Sequence, residues 1–433
     1  MSEVEPGAGP DAGIEARRLA GALLEGALSG RDGLAAVQAG KPFNALSPQD
    51  RAFARAVAMG ALRRLGEIDR ALDARLKTAP PQQVRTLLRV ALAQRLALDV
   101  PAFATVSTAV KLAEREAKTR PYKALVNAVL RGLERDGLPE ADPVANLPGW
   151  LAARWTQAWG ADAVAAIARA AREEPATDLS LKPDQDAAAL AAALEGEVLP
   201  GGSVRTRRRG DLSTWPGYAE GGWWVQDAAA AVPVRALAPQ TGDTVLDLCA
   251  APGGKTLQLA ATGASVVALD RNASRLKRVH ENLARTGLTA EVVTADAVGW
   301  DDPRTFDAVL LDAPCTATGT LRRHPEALHA VRPADVANLA DVQHRLLDAA
   351  ADRVKPGGRL VYCVCSLERE EGEGQVPAFL RRRPDFRMTP IDPAAVGAPP
   401  EAASEHGLRL HPGQWPEHGG LDGFFVARFE RIA

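Results

Sequence analysis

The sequence is short of cysteine, tyrosine and methionine, and it has no long apolar run. Its 433 residues include only four cysteines, three tyrosines and three methionines. A secreted, disulfide-stapled fold would need more cysteines spread through a smaller domain. These four, Cys249, Cys315, Cys363 and Cys365, all fall in the second half and read as reduced thiols of a cytoplasmic protein. No CxxC pair accompanies the closest histidine pairs, His324/His329 and His406/His411, so no metal site is expected. No stretch of about 18 uninterrupted apolar residues occurs, which leaves no candidate membrane span. Met1 to Asp11 is acidic and rich in glycine and proline, without the basic-then-apolar layout of a signal peptide. It reads as a short disordered tail. Net charge is lacking too, since 52 Lys and Arg face 54 Asp and Glu. The chain as a whole does not advertise binding to a polyanion.

What charge there is lies unevenly. Between Ala12 and Ala141, 21 basic residues face 13 acidic ones, a net of +8. Such an excess attracts phosphate backbones, yet helical domains also carry it for solubility, and both readings stand. From Ile14 to Gly137 the pattern is helical, with apolar residues three and four apart as in Val84, Leu87, Leu88, Ala91 and Leu92. Ser47 before Pro48 predicts a cap followed by proline in the first helical turn. Leu138 to Pro148, with three prolines, reads as a linker. Beyond it come short helices and strand-like material near Asp178–Leu181 and Gly196–Leu199. The cluster Arg205, Arg207, Arg208 and Arg209 reads equally well as a solvated loop or a phosphate contact.

After Gly222 strands and helices alternate. Strands are expected at Thr244–Leu248, Ser265–Asp270, Ala290–Ala295, Phe306–Leu311 and Gly358–Val364, with helices at Lys255–Ala261, Ala273–Thr286 and Pro333–Ala351. That order argues for an α/β Rossmann-like domain with a mostly parallel, doubly wound sheet. An all-α helical domain and a small α+β connecting region precede it, giving expected domains of 12–141, 142–221 and 222–433.

The first strand runs into Cys249-Ala250-Ala251-Pro252-Gly253-Gly254-Lys255-Thr256, a glycine turn opening a helix. Such turns let backbone approach a nucleotide-type ligand. A phosphate-loop ATPase would need glycine where Cys249 stands. Asp270, Asp296 and Asp312 then follow three successive strands. Singly each is an ordinary loop acid; together they mark a cofactor edge, for a dinucleotide or for S-adenosylmethionine. Two cysteines, Cys315 and Cys365, sit just past strands at that same edge. Cysteine is often a small buried hydrophobe, and Cys363 is read that way, supporting the pocket.

The segments Cys249–Thr256, Ala268–Asp270, Asp312–Glu326 and Tyr362–Glu373 resemble the signature motifs of the nucleolar-protein/Sun family of RNA 5-methylcytosine methyltransferases. The resemblance spans Gly222 to the C-terminus. It implies S-adenosylmethionine as cofactor, held by Cys249, Ala250, Ala251, Pro252, Gly253, Gly254, Lys255, Asp270, Asp296 and Asp312, with Arg275 supporting the ribose end. It implies Cys365 as the nucleophile, Cys315 as an aid to product release, and Asp312 at N3 and the exocyclic amine of the target cytosine. The chemistry explains the thiol: addition to carbon 6 turns an unreactive ring into an enamine that is nucleophilic at carbon 5. Chemistry alone does not choose between the two thiols, since DNA cytosine methyltransferases use the Pro-Cys one; the resemblance chooses Cys365. Two positions depart from the family pattern, with Ala317 for a glycine and Gly372 for an asparagine.

Upstream, Arg51–Val57, Arg63–Asp69, Leu98–Pro101 and Val126–Arg131 resemble a NusB-like RNA-binding domain, which gives the +8 balance a purpose. The pairing implies RNA as partner, most expectedly small-subunit (16S) rRNA with tRNA as the alternative, and a cytoplasmic monomer. A non-catalytic ribosome-assembly or antitermination factor is the rival reading. Two cysteines at the site argue against it. The segment ending in Gly222–Asp227 resembles the family's small RNA-binding region, departing at Asp178–Pro183.

Overall fold

The computed structural model describes residues 12–30, 33–140 and 142–433; the expected tail at Met1 to Asp11 lies outside them. The chain divides into two compact units, Met1–Glu173 with Leu321–Val331, and Glu174–Thr320 with Arg332–Ala433.

The first unit is helical throughout. Helices Ala12–Ser29, Pro48–Arg63, Gln82–Leu98, Ala102–Arg115 and Lys123–Asp136 bury one apolar face each. In Gln82–Leu98 the periodic residues Val84, Leu88, Ala91 and Leu92 are buried and Leu87 is half-buried. Ser47 caps Pro48–Arg63 by accepting the Asp50 N–H at 3.1 Å, as its position predicted. Part of the basic surplus is held internally. Arg89 grips both oxygens of Asp69 (2.8 and 2.7 Å), and Arg85 pairs with Asp73.

The second half of the stretch read as a linker, residues 143–148, is packed, whereas 138–140 are exposed. Asn146 is buried and accepts the Glu67 N–H at 2.9 Å. Gly66 permits this, because a Cβ there would stand 1.7 Å from the Ala145 carbonyl oxygen. Two further helices, Gly149–Trp159 and Ala161–Arg172, complete the unit with Leu321–Val331. Arg63 donates to the Arg322 carbonyl within it.

The second unit holds two sheets. The smaller is antiparallel, with β1 (Thr177–Leu181), β2 (Glu197–Val198), β3 (Val204–Thr206) and β4 (Trp223–Val225) in the order β2-β3-β1-β4. Arg207, Arg208 and Arg209 of the basic cluster are exposed, but both readings fail for Arg205. Arg205 is buried and grips Asp178 at 2.6 and 2.7 Å, while also donating to the His418 and Gly420 carbonyls. It is neither a solvated loop residue nor a phosphate contact, because a fully paired buried guanidinium has no donors to spare.

The larger sheet contains β5 (Thr244–Leu248), β6 (Ser265–Asp270), β7 (Glu291–Thr294), β8 (Phe306–Asp312), β9 (Val354–Val364), β10 (Phe386–Thr389), β11 (Ala403–Ser404), β12 (Gly407–Leu410) and β13 (Phe424–Arg431). Its order is β11-β12-β13-β9-β8-β5-β6-β7, with β10 beside β13. Strands β5 to β9 pair in parallel; β13 runs antiparallel to β9 and carries the C-terminal strands. Helix Ala228–Leu237 buries Val232 and Leu237 on one face, and Pro333–Asp352 with Gln375–Arg382 buries Leu347 and Phe379 on the other. Each such side chain contributes about 1.5–3 kcal/mol by leaving water. Among the described residues no helix is long and apolar enough to cross a membrane, and no cluster suited to a metal ion occurs.

Candidate active site

Parallel strands β5, β6 and β8 end together, so the turns after them meet at one edge. After β5, Cys249 turns left-handed at φ 63° and Gly253 at φ 105°. A Cβ on Gly253 would stand 3.2 Å from Val279, so both conformation and space call for glycine. The turn is held through its backbone. Asp270, closing β6, accepts the Ala251 N–H at 3.1 Å and the Asn272 N–H at 2.8 Å. Arg275 donates to the Ala251 carbonyl at 2.5 Å. Trp224 from β4 packs beneath with Leu257 and Val279.

Beyond the turn, Lys255 reaches back to Asp312 at the end of β8, 2.7 Å away, and lies over the Phe424 ring. Burial works against its charge, but Asp312 outweighs that and holds the ammonium protonated. The second Asp312 oxygen accepts from the Cys363 thiol at 3.5 Å. Cys363 is fully buried and its pKa is raised well above the ordinary thiol value by that burial and then by Asp312. Cys249 is likewise pushed up to about 12, by burial and then by Asp312 and Asp270. Neither is a ready thiolate.

The remaining thiols meet. Cys315 Sγ lies 3.4 Å from Cys365 Sγ, and both residues are partly exposed and free. The pKa of Cys315 is raised well above the ordinary value, by its hydrogen bond with Cys365 first and burial second. Either sulfur can be the donor in this contact.

Behind the thiols lies a buried polar network centred on Glu371. Its carboxylate accepts from the Thr316 N–H (2.9 Å), the Thr316 and Ser366 hydroxyls, and the Gln343 amide (3.0 Å). Burial raises its pKa, opposed by those same donors. Arg409 from β12 grips Glu373 at 3.0 and 2.8 Å and donates to the Ser366 carbonyl. This explains Gly372: a Cβ there would stand 2.3 Å from Arg409 and 3.0 Å from the Phe425 ring. The guanidinium occupies the space a longer side chain would take. Ala317 sits at φ 57°, a left-handed position where glycine is the unstrained choice.

The structure thus links Lys255, Asp312 and Cys363 in one set of contacts, pairs Cys315 with Cys365, and links Ala250–Gly253, Asp270 and Arg275 in another set. Asp296 stands outside both. It is exposed, and its carboxylate accepts the Val298 N–H of its own turn at 3.0 Å. Sequence reasoning missed Glu371, Gln343 and Arg409. Glu371 lay inside a recognised motif and was within reach; Gln343 and Arg409, from a distant helix and strand, carried no local signal.

The 16S rRNA methyltransferase RsmB/F family matches residues 234–430, and the NusB family matches residues 15–135. Ribosomal RNA small subunit methyltransferase B of Vibrio cholerae is 35% identical over 407 residues, covering 88% of this chain and 90% of that protein. The protein of the same name from Xanthomonas campestris is 35% identical over 435 residues, covering 96% and 97%. A methyltransferase homolog from Pyrococcus horikoshii, 26% identical, superimposes with a TM-score of 0.54 over 70% of this chain and 98% of its own. With the glycine turn, the paired thiols and the helical unit in place, these matches put the chain in the RsmB/F family of S-adenosylmethionine-dependent RNA methyltransferases, with a NusB-family domain ahead of the catalytic one.

Proposed function

We propose that this protein, as a cytoplasmic monomer, methylates carbon 5 of a cytosine in small-subunit (16S) rRNA, with Cys365 as nucleophile and Cys315 as an aid to product release. The observation that carries this is the 3.4 Å approach of the two thiols beside the Lys255–Asp312 pair.

The residues at the glycine turn fit S-adenosylmethionine. Each Asp270 oxygen accepts one main-chain N–H and keeps a lone pair for a ribose hydroxyl. Ala250 to Gly253 offer backbone, Arg275 fixes the turn through Ala251, and Asp296 is the acid left for the adenine end. When bound, the cofactor supplies an electrophilic methyl group. The chain's own residues do the rest. Asp312, oriented on both sides by Lys255 and Cys363, holds N3 and the exocyclic amine of the base. The Cys365 thiolate adds to carbon 6, which leaves carbon 5 electron-rich enough to take the methyl. A base takes the carbon 5 proton, the double bond between carbons 5 and 6 re-forms, and Cys365 leaves as thiolate; Cys315 assists that release. The target base is reached by flipping it from its stack or by taking it from a loop.

Labelled methyl from S-adenosylmethionine should enter unmodified 16S rRNA, and none entering RNA that the protein binds would overturn the reading. Cys365→Ala should abolish both methylation and covalent RNA adducts, whereas Cys315→Ala should trap enzyme on RNA. The opposite pattern would exchange the two roles.

A further inference from the structure

Glu371 touches neither thiol, yet it joins the residue after each. Its two oxygens accept the N–H and hydroxyl of Thr316, which follows Cys315, and the hydroxyl of Ser366, which follows Cys365. Gln343, from the helix Pro333–Asp352, donates to the same carboxylate and to the Pro314 carbonyl, which precedes Cys315. Ser366 in turn accepts the Glu368 N–H at 3.0 Å, and Tyr362 donates to the Glu371 carbonyl at 2.5 Å. Glu371 is 0% exposed, so no water competes for these bonds. The two loops leave neighbouring paired strands, β8 and β9, and are joined by the Gly319 N–H to the Cys365 carbonyl (3.0 Å) and the Leu367 N–H to the Thr318 hydroxyl (2.9 Å). Glu371 adds the bonds at the residues next to the thiols themselves, which those two leave free.

We propose that Glu371 is the positioning residue of the reaction, a carboxylate clamp that fixes the spacing of Cys315 and Cys365. The inference rests on the reading of those thiols as the reacting pair. The clamp acts through hydrogen bonds, so an amide of the same shape should replace it. Gln accepts at one terminal atom and donates at the other, where the Thr316 and Ser366 hydroxyls rotate to receive it.

Two measurements test this on the full-length protein. One is the rate at which dibromobimane bridges Cys315 to Cys365, mapped by peptide mass, which needs neither cofactor nor RNA. The other is steady-state methylation. Glu371→Ala should slow bridging about tenfold and lower kcat about 100-fold, the scale of an ångström's misplacement, with KM for S-adenosylmethionine and RNA within about twofold. Glu371→Gln should restore both to within about fivefold of wild type, because it keeps the bonds and loses only the charge. If Glu371→Ala fails to fold, Thr316→Val, which deletes one bridging hydroxyl, should give the same pattern at about tenfold in kcat. Wild-type bridging with lost methylation in Glu371→Ala would overturn the clamp alone. Lost bridging with intact methylation would overturn the reacting pair and, with it, the clamp. Equal loss of methylation in the Gln and Ala variants, with bridging intact in both, would assign Glu371 a charge-based role and overturn positioning.

Discussion

The glycine turn and the two thiol-bearing loops lie at the same sheet edge, and they are held by different means. The turn at Cys249–Gly253 is held through its main chain, by Asp270, by Arg275 and by a glycine that nothing else can replace. The loops carrying Cys315 and Cys365 are held through buried side chains, chiefly Glu371 and Arg409. The difference follows from what each must do. A turn that wraps a ligand needs its backbone free to approach it, so the supports lie to the side. A pair of thiols needs a fixed separation, which rigid buried hydrogen bonds supply.

The largest test breaks the side-chain half alone. Arg409→Ala leaves Glu373 buried without its partner and the Ser366 carbonyl without its donor. Losing one partner of a buried ion pair costs about 3–5 kcal/mol, measurable as a lowered urea midpoint. Methylation should fall while S-adenosylmethionine affinity, measured by calorimetry, stays near wild type. A large loss of affinity would show that the two turns are not held separately.

Next comes the strand beneath the glycine turn. The Asp247 carboxyl is pushed up to about 7, chiefly by burial, with the Thr256 hydrogen bond and Lys255 pulling it down. The folded chain keeps this proton to higher pH than the unfolded chain does. Its contribution to stability is therefore fully present near pH 4 and is lost as pH rises toward 7. Asp247→Asn should remove that slope, worth about 2–4 kcal/mol between pH 4 and 8. Unfolding curves at the two pH values, compared with wild type, read it directly; parallel pH profiles would refute it.

Gly253→Ala reverses the first test. It forces a left-handed side chain against Val279, at about 1–3 kcal/mol. Cofactor affinity should fall about tenfold, with dibromobimane bridging of the thiols unchanged. Slower bridging would mean that strain crosses from one turn to the other.

Ala317→Gly is the smallest. Relief of the left-handed position is worth about 1–2 kcal/mol, and the added freedom of glycine in the unfolded chain takes back about 0.5–1 kcal/mol. A thermal midpoint equal to wild type or up to a few degrees higher is expected. A clear loss would show that the Ala317 methyl group packs usefully.

By itself the sequence determined the helical N-terminal part, the parallel strands and the location of the glycine turn. Those features are local: a period of three to four in Val84–Leu92, a glycine turn after a strand, an acid at each strand end. It also determined that two thiols share an edge, because Cys315 and Cys365 each follow a strand of one parallel sheet. The C-terminal strands β10 to β13 were not legible: β13 is placed by pairing with β9, more than 60 residues back along the chain for Phe425 opposite Val364, and the short strands β10 to β12, set among loops, pair with β13 or with each other. Nor was the fate of Arg205, a surface cation by type, which Asp178 draws into the interior. Only the tertiary structure decided that the two thiols meet at 3.4 Å, and that Glu371, Gln343 and Arg409, from a loop, a helix and a strand, come to one buried polar network behind them, where the absence of water makes each hydrogen bond count.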